Sequence, residues 1–267
     1  MKNLILLSVF ILAGILTSCT KDDTGVSPTI PISIQKIKLA EGFSAGTKIE
    51  LYADDTLRTG YNRLYIRVLD SATNAVVRDA HLSIHPEMDM GSMKHSCPTE
   101  QTPSAVITGD LFPAATIFTM AGSNMNKWSI TIEFHNHISD RESEITFPIS
   151  VVSGSFPPKI FMGSDGKAMI LSMLPVAKPI VGMNDVEFAV FTSASDVFTP
   201  VDDLTMTITP EMPSMGHGSP NNVNPTTKGN GHYTGKVNFI MTGEWKITLD
   251  LLRSGTTIGK QFFMITL

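Results

Sequence analysis

The sequence predicts an all-β chain built as two tandem antiparallel β-sandwiches. Three observations predict it. Strand-like runs recur roughly every ten to fifteen residues, separated by Gly, Pro, Asn and Asp. Within those runs apolar and polar residues alternate, the period of a half-buried strand, so each sheet keeps one wet face. Finally, the pattern occurs twice, and one half of the chain repeats the other along most of its length.

The first element is a leader. Lys2 precedes an apolar stretch over residues 4–16, closed by Leu16-Thr17-Ser18-Cys19. The stretch is too short to cross a bilayer comfortably, and it reads as a secretory signal over residues 1–18. Small residues ahead of a cysteine resemble the lipobox of bacterial lipoproteins. That resemblance implies lipidation of Cys19 and attachment to a membrane through the N-terminal lipid. The next residues, Thr20-Lys21-Asp22-Asp23, resemble the Lys-acidic-acidic signal that sends some Gram-negative lipoproteins to the cell surface. Thr20 stands where an inner-membrane retention signal would carry Asp. The expected location is therefore the outer membrane, facing the periplasm or the cell surface. Residues 19–34 have the composition of a tether.

Two copies of one domain follow, over residues 35–152 and 160–267, with a linker at 153–159 where Gly154 and the Pro157-Pro158 pair interrupt any strand. Asn62 to Val68 match Asn184 to Val190, with Leu64, Ile66 and Val68 inward in one and Val186, Phe188 and Val190 in the other. Phe112, Phe118 and Met120 align with Tyr233, Phe239 and Met241. Trp128 and Trp245 each open an alternating strand, and each is expected in the core as a large buried surface. The methionines Met120, Met206 and Met241 are read as inward strand residues.

Charge and cysteine content narrow the function. The net charge is −5, which gives no case for nucleic acid or for a polybasic membrane patch. Of two cysteines, Cys19 is assigned to lipid, which leaves Cys97 without an intrachain partner. No Gly-x-Ser-x-Gly elbow, phosphate loop or His-Glu-x-x-His occurs, so no enzyme is expected.

The most informative repeat is a Met/His loop. Pro86-Glu87-Met88-Asp89-Met90-Gly91-Ser92-Met93-Lys94-His95 is echoed by Pro210-Glu211-Met212-Pro213-Ser214-Met215-Gly216-His217. Thioether and imidazole are a ligand mixture suited to Cu(I), and a thioether is not lost to disulfide chemistry outside the cytoplasm. The candidate ligands are Met88, Met90, Met93, His95 and Cys97 in the first copy, and Met212, Met215, His217 and His232 in the second. If the segments are extended, Met93, His95 and Cys97 share one face, as do Met215 and His217. His232 opens the next strand and is expected to close over the second loop. The competing reading is structural: methionine is an adaptable core filler, and the chain has 15 of them. His135 and His137, on the outward parity of the Trp128 strand with Glu133, form a separate candidate for Cu(II) or Zn(II).

The run from Met212 to His217, with Gly231-His232-Tyr233 and Phe239-Ile240-Met241-Thr242-Gly243-Glu244-Trp245, resembles the YtkA-like domain. This is a small immunoglobulin-like β-sandwich related to FixH proteins and found in bacterial copper and heavy-metal contexts. The resemblance covers residues 160–267 well and 35–152 more loosely. It implies two tandem immunoglobulin-like sandwiches after a lipoprotein signal peptide. The function expected is extracytoplasmic metal binding by a lipid-anchored protein that sequesters Cu(I) or exchanges it with a donor or acceptor protein. The alternative is a non-enzymatic surface interaction module whose Met loops are structural.

Overall fold

The computed structural model describes residues 36–176 and 178–267. The leader, Cys19 and the tether lie outside the described residues. Among the described residues every regular element is a strand.

The first sandwich comprises β1 (Ile37–Ser44), β2 (Thr47–Ala53), β3 (Gly60–Asp70), β4 (Ala80–Asp89), β5 (Lys94–His95), β6 (Thr99–Glu100), β7 (Phe112–Phe118), β8 (Lys127–Asn136) and β9 (Arg141–Ile149). The second comprises β10 (Lys159–Met162), β11 (Ala168–Met173), β12 (Gly182–Ala194), β13 (Val197–Pro200), β14 (Leu204–Met212), β15 (His217–Gly218), β16 (Val223–Gly229), β17 (His232–Phe239), β18 (Glu244–Arg253) and β19 (Thr256–Thr266). One sheet of the first sandwich has the order β1-β2-β3-β7-β6, and the other β5-β4-β8-β9. The second sandwich repeats this as β10-β11-β12-β17-β16 and β15-β14-β18-β19, with β13 added beside β12. Both are immunoglobulin-like antiparallel sandwiches.

Alternation fixes which side chains meet between the sheets. Along β4, Ala80, Leu82, Ile84, Pro86 and Met88 point inward, and along β14 Leu204, Met206, Ile208, Pro210 and Met212 do the same. Trp128 and Trp245 are buried, and each indole N–H donates to a backbone carbonyl, Met120 at 3.0 Å and Met241 at 3.1 Å. That bond satisfies the polar edge of an otherwise apolar anchor. It also corrects the reading of Met120 and Met241 as strand residues. Both sit past the ends of β7 and β17 and their backbones serve the tryptophans; the Met120 side chain is exposed, whereas Met241 packs inward against the second core as expected. Met206 is buried as expected.

A second shared device holds the start of the central strands. The Asn62 carboxamide accepts from Arg58 N–H at 3.0 Å and donates to the Arg58 and Gly60 carbonyls at 2.7 and 2.8 Å. Asn184 makes the same three bonds with Ile180 and Gly182, at 2.9, 2.7 and 2.8 Å. Bonds from side chain to backbone at both ends of one amide lock the bend that leads into the strand.

The two sandwiches meet through a small apolar cluster. Tyr61, Ala115 and Ile117 of the first pack with Ile170, Leu174, Ala189 and Phe191 of the second. His232 joins them electrostatically. Its Nε2 lies 2.8 Å from Glu100 of the first sandwich and its Nδ1 2.7 Å from Glu187 of the second. The Tyr61 hydroxyl donates to the same Glu100 at 2.9 Å, and its ring meets His232 edge to face at 5.8 Å.

Candidate metal centres

Each Met/His loop is a hairpin tip at one end of its sandwich. In the first, Met88 pairs with His95 and Asp89 with Lys94 across β4 and β5. Gly91 takes the left-handed backbone that the tight reversal needs, at φ +81°, and the Asp89 carboxylate accepts its N–H at 2.7 Å. In the second, Met212 pairs with His217 across β14 and β15. The Met212 carbonyl accepts from both Met215 and Gly216, at 3.1 and 2.9 Å, and Gly216 is left-handed at φ +67°. Two extra residues in the first loop change the turn without changing the Met-to-His pairing.

Directly opposite residues share a face of a sheet, so His95 stands beside Met88, and His217 beside Met212, at the open end of each sandwich. Depth separates them. Met88 is 0% exposed and Met212 is 3% exposed, each packed into the core of its domain. Met93 and Met215, at the tips, are 53% and 60% exposed. Met90 is half-buried against the first core, and its N–H donates to the Met93 carbonyl at 3.0 Å. The donors free to meet an ion from solvent are therefore Met93 with His95, and Met215 with His217. In the first hairpin they are already together: Met93 Sδ lies 3.2 Å from His95 Nε2. In the second, the His217 ring packs edge to face against Trp245 at 5.9 Å, and its Nδ1 lies 3.2 Å from the Gly218 carbonyl, which leaves Nε2 unengaged. Trp245 thus borders the site from below while remaining a core residue.

Two candidates fall outside these clusters. Cys97 does not share a face with Met93 and His95. The chain leaves the sheet of β5 at His95 and enters the opposite sheet at Thr99, so Cys97 lies in the crossing and is buried between the sheets. Its sulfur is 3.0 Å from the Thr116 hydroxyl, and burial pushes the thiol up to about 12. A thiol so hard to ionise is a poor ligand, because the thiolate is the form that binds metal. His232 does not close over the second loop. The loop neighbours Trp245, which packs on Phe239 at the far end of β17. From His232 to Phe239 the strand runs roughly 23 Å. His232 serves the contact between the sandwiches instead. Hydrogen bonding to Glu100 raises its pKa first of all, burial opposes this, and Glu187 adds to it. Glu100 and Glu187 gave no sequence signal, since pairing across two domains leaves no local pattern.

The YtkA-like family model matches residues 172–250. No curated protein sequence matches the chain. Among solved structures, the Escherichia coli adhesin FdeC is 15% identical with a TM-score of 0.27, covering 85% of this chain and 65% of its own. A conserved domain protein from Bacillus anthracis is 10% identical with a TM-score of 0.32, covering 87% and 92%. Invasin, a bacterial integrin-binding protein, is 11% identical with a TM-score of 0.27, and the chain spans only 39% of its length. None of these likenesses bears on what this chain binds. The likeness to the YtkA-like family therefore falls within the second sandwich, over residues 172–250.

Proposed function

We propose that this protein is a lipid-anchored, extracytoplasmic metal-binding protein of the outer membrane that takes up and releases Cu(I) at its two hairpin tips. The observation that carries the reading is the 3.2 Å approach of Met93 Sδ to His95 Nε2 on an exposed turn. One thioether and one neutral imidazole suit a soft ion of low coordination number. Met215 and His217 supply the same pair in the second domain. Two neutral donors on a solvent-facing tip hold an ion weakly enough to give it up, which fits exchange with a donor or acceptor protein. Met88 and Met212 form the floor beneath. The role is binding, with no bond made or broken in a substrate.

A second reading, a surface interaction module with purely structural Met loops, draws on the burial of Met88 and Met212. X-ray absorption at the copper edge separates the two. The Cu(I)-loaded chain is expected to show a mixed sulfur and nitrogen shell, with the sulfur signal reduced in Met93→Leu/Met215→Leu. A shell without sulfur, or one unchanged in that variant, rejects the hairpin sites.

A further inference from the structure

We propose a second metal site, for Zn(II) or a divalent ion of similar ligand preference, on the outer face of the first sandwich at His81, His135 and His137, with Asp79 beside them. It goes beyond the Cu(I) reading and involves neither hairpin tip. His81 on β4 and His135 on β8 are direct cross-strand partners. One step further along, His137 N–H donates to the Asp79 carbonyl at 3.2 Å. Asp79-x-His81 therefore faces His135-x-His137 across two neighbouring strands. Leu82, Phe134 and Asn136, at the alternate positions, are buried, which sends all four side chains to the solvent face. The His135 and His137 rings are 5.0 Å apart.

The carboxylates around these rings are placed as outer partners of metal ligands are. Asp79 Oδ1 lies 2.5 Å from His137 Nδ1, which leaves Nε2 free. Asp140 Oδ1 lies 3.0 Å from His135 Nε2, and Nδ1, which makes no hydrogen bond to Glu142 3.5 Å away, is the nitrogen left for the ion. A carboxylate on one ring nitrogen fixes the tautomer and makes the other a better donor. His81 and His135 line one groove with Glu133, Glu142 and Glu144, a concentration of negative charge that favours a cation. Among the described residues no three His, Cys, Asp or Glu side chains already converge as a ligand set. Binding therefore draws His81 and His135 inward by side-chain rotation, for which their outward positions leave room.

The duplicated domain argues that the fold itself does not need these residues. Aligned through Pro86 with Pro210 and Trp128 with Trp245, the second sandwich has Thr205, Leu252 and Ser254 in place of His81, His135 and His137. The same strands form there with no histidine on that face.

The test is calorimetric titration of ZnCl2 into the full chain in metal-free buffer. His81→Thr/His135→Leu/His137→Ser borrows residues that the sister domain already tolerates, and an unchanged circular dichroism spectrum checks its fold. His135→Leu alone serves as a milder variant. Wild type is expected to bind, with affinity reduced about tenfold or more in both variants and unchanged in Met93→Leu/His95→Gln. No binding by wild type overturns the proposal, as do equal binding by both variants and loss of binding in the hairpin variant.

Discussion

Replacing Met212 by alanine is expected to lower the unfolding free energy by about 2–5 kcal/mol, the range for a buried methionine deleted from a packed core. Met212 is covered by the second core, and its terminal carbon is 3.0 Å from where a Cβ on Gly243 would stand. Collapse of the cavity is limited, because Trp245 and Phe239 are themselves fixed by packing and by the indole bond to Met241. Met215→Ala, at the exposed tip of the same hairpin, is expected to stay within about 0.5 kcal/mol of wild type. Urea unfolding of the metal-free protein measures both. Equal effects of the two substitutions would contradict the division of each hairpin into a core methionine and a solvent-facing one.

His232 is the second position of large effect. An imidazole bonded at both nitrogens to carboxylates must carry both protons, so the contact between the sandwiches includes an imidazolium. His232→Gln is expected to cost about 1.5–3 kcal/mol, the range for hydrogen bonds to charged groups. The pH dependence follows from the raised pKa. Since the folded value lies above the ordinary 6.5, the contribution is fully present below that ordinary value and is lost as pH rises through the raised folded value. Wild type is thus expected to lose stability over that interval, and His232→Gln to lack this component of the slope. Identical pH profiles for the two proteins would refute the assignment.

Local pattern made much of this fold legible. Period-two alternation marked the inward faces of β3 and β12, and aligning Asn62 with Asn184 and Trp128 with Trp245 matched residues that make the same hydrogen bonds in both domains. The same local logic failed where the chain changes sheet. Counting residues two apart put Cys97 beside His95, a count that holds only while a strand continues. It failed again for His232, whose partners Glu100 and Glu187 come from both sandwiches, and it carried β7 and β17 too far, to Met120 and Met241. The Met/His repeat was visible in full. What the sequence did not reveal was depth, because a methionine reads alike whether it plugs the sandwich or crowns the turn.

The central claim is that each hairpin tip takes one Cu(I) through its exposed methionine and its histidine. Competition for Cu(I) between the chain and a chromophoric chelator tests this most directly. Wild type is expected to withdraw one ion per hairpin, Met93→Leu/His95→Gln to lose one, Met215→Leu/His217→Gln to lose the other, and Cys97→Ser to keep both. Failure of wild type to compete at micromolar protein, or undiminished competition by the two hairpin variants, would contradict it.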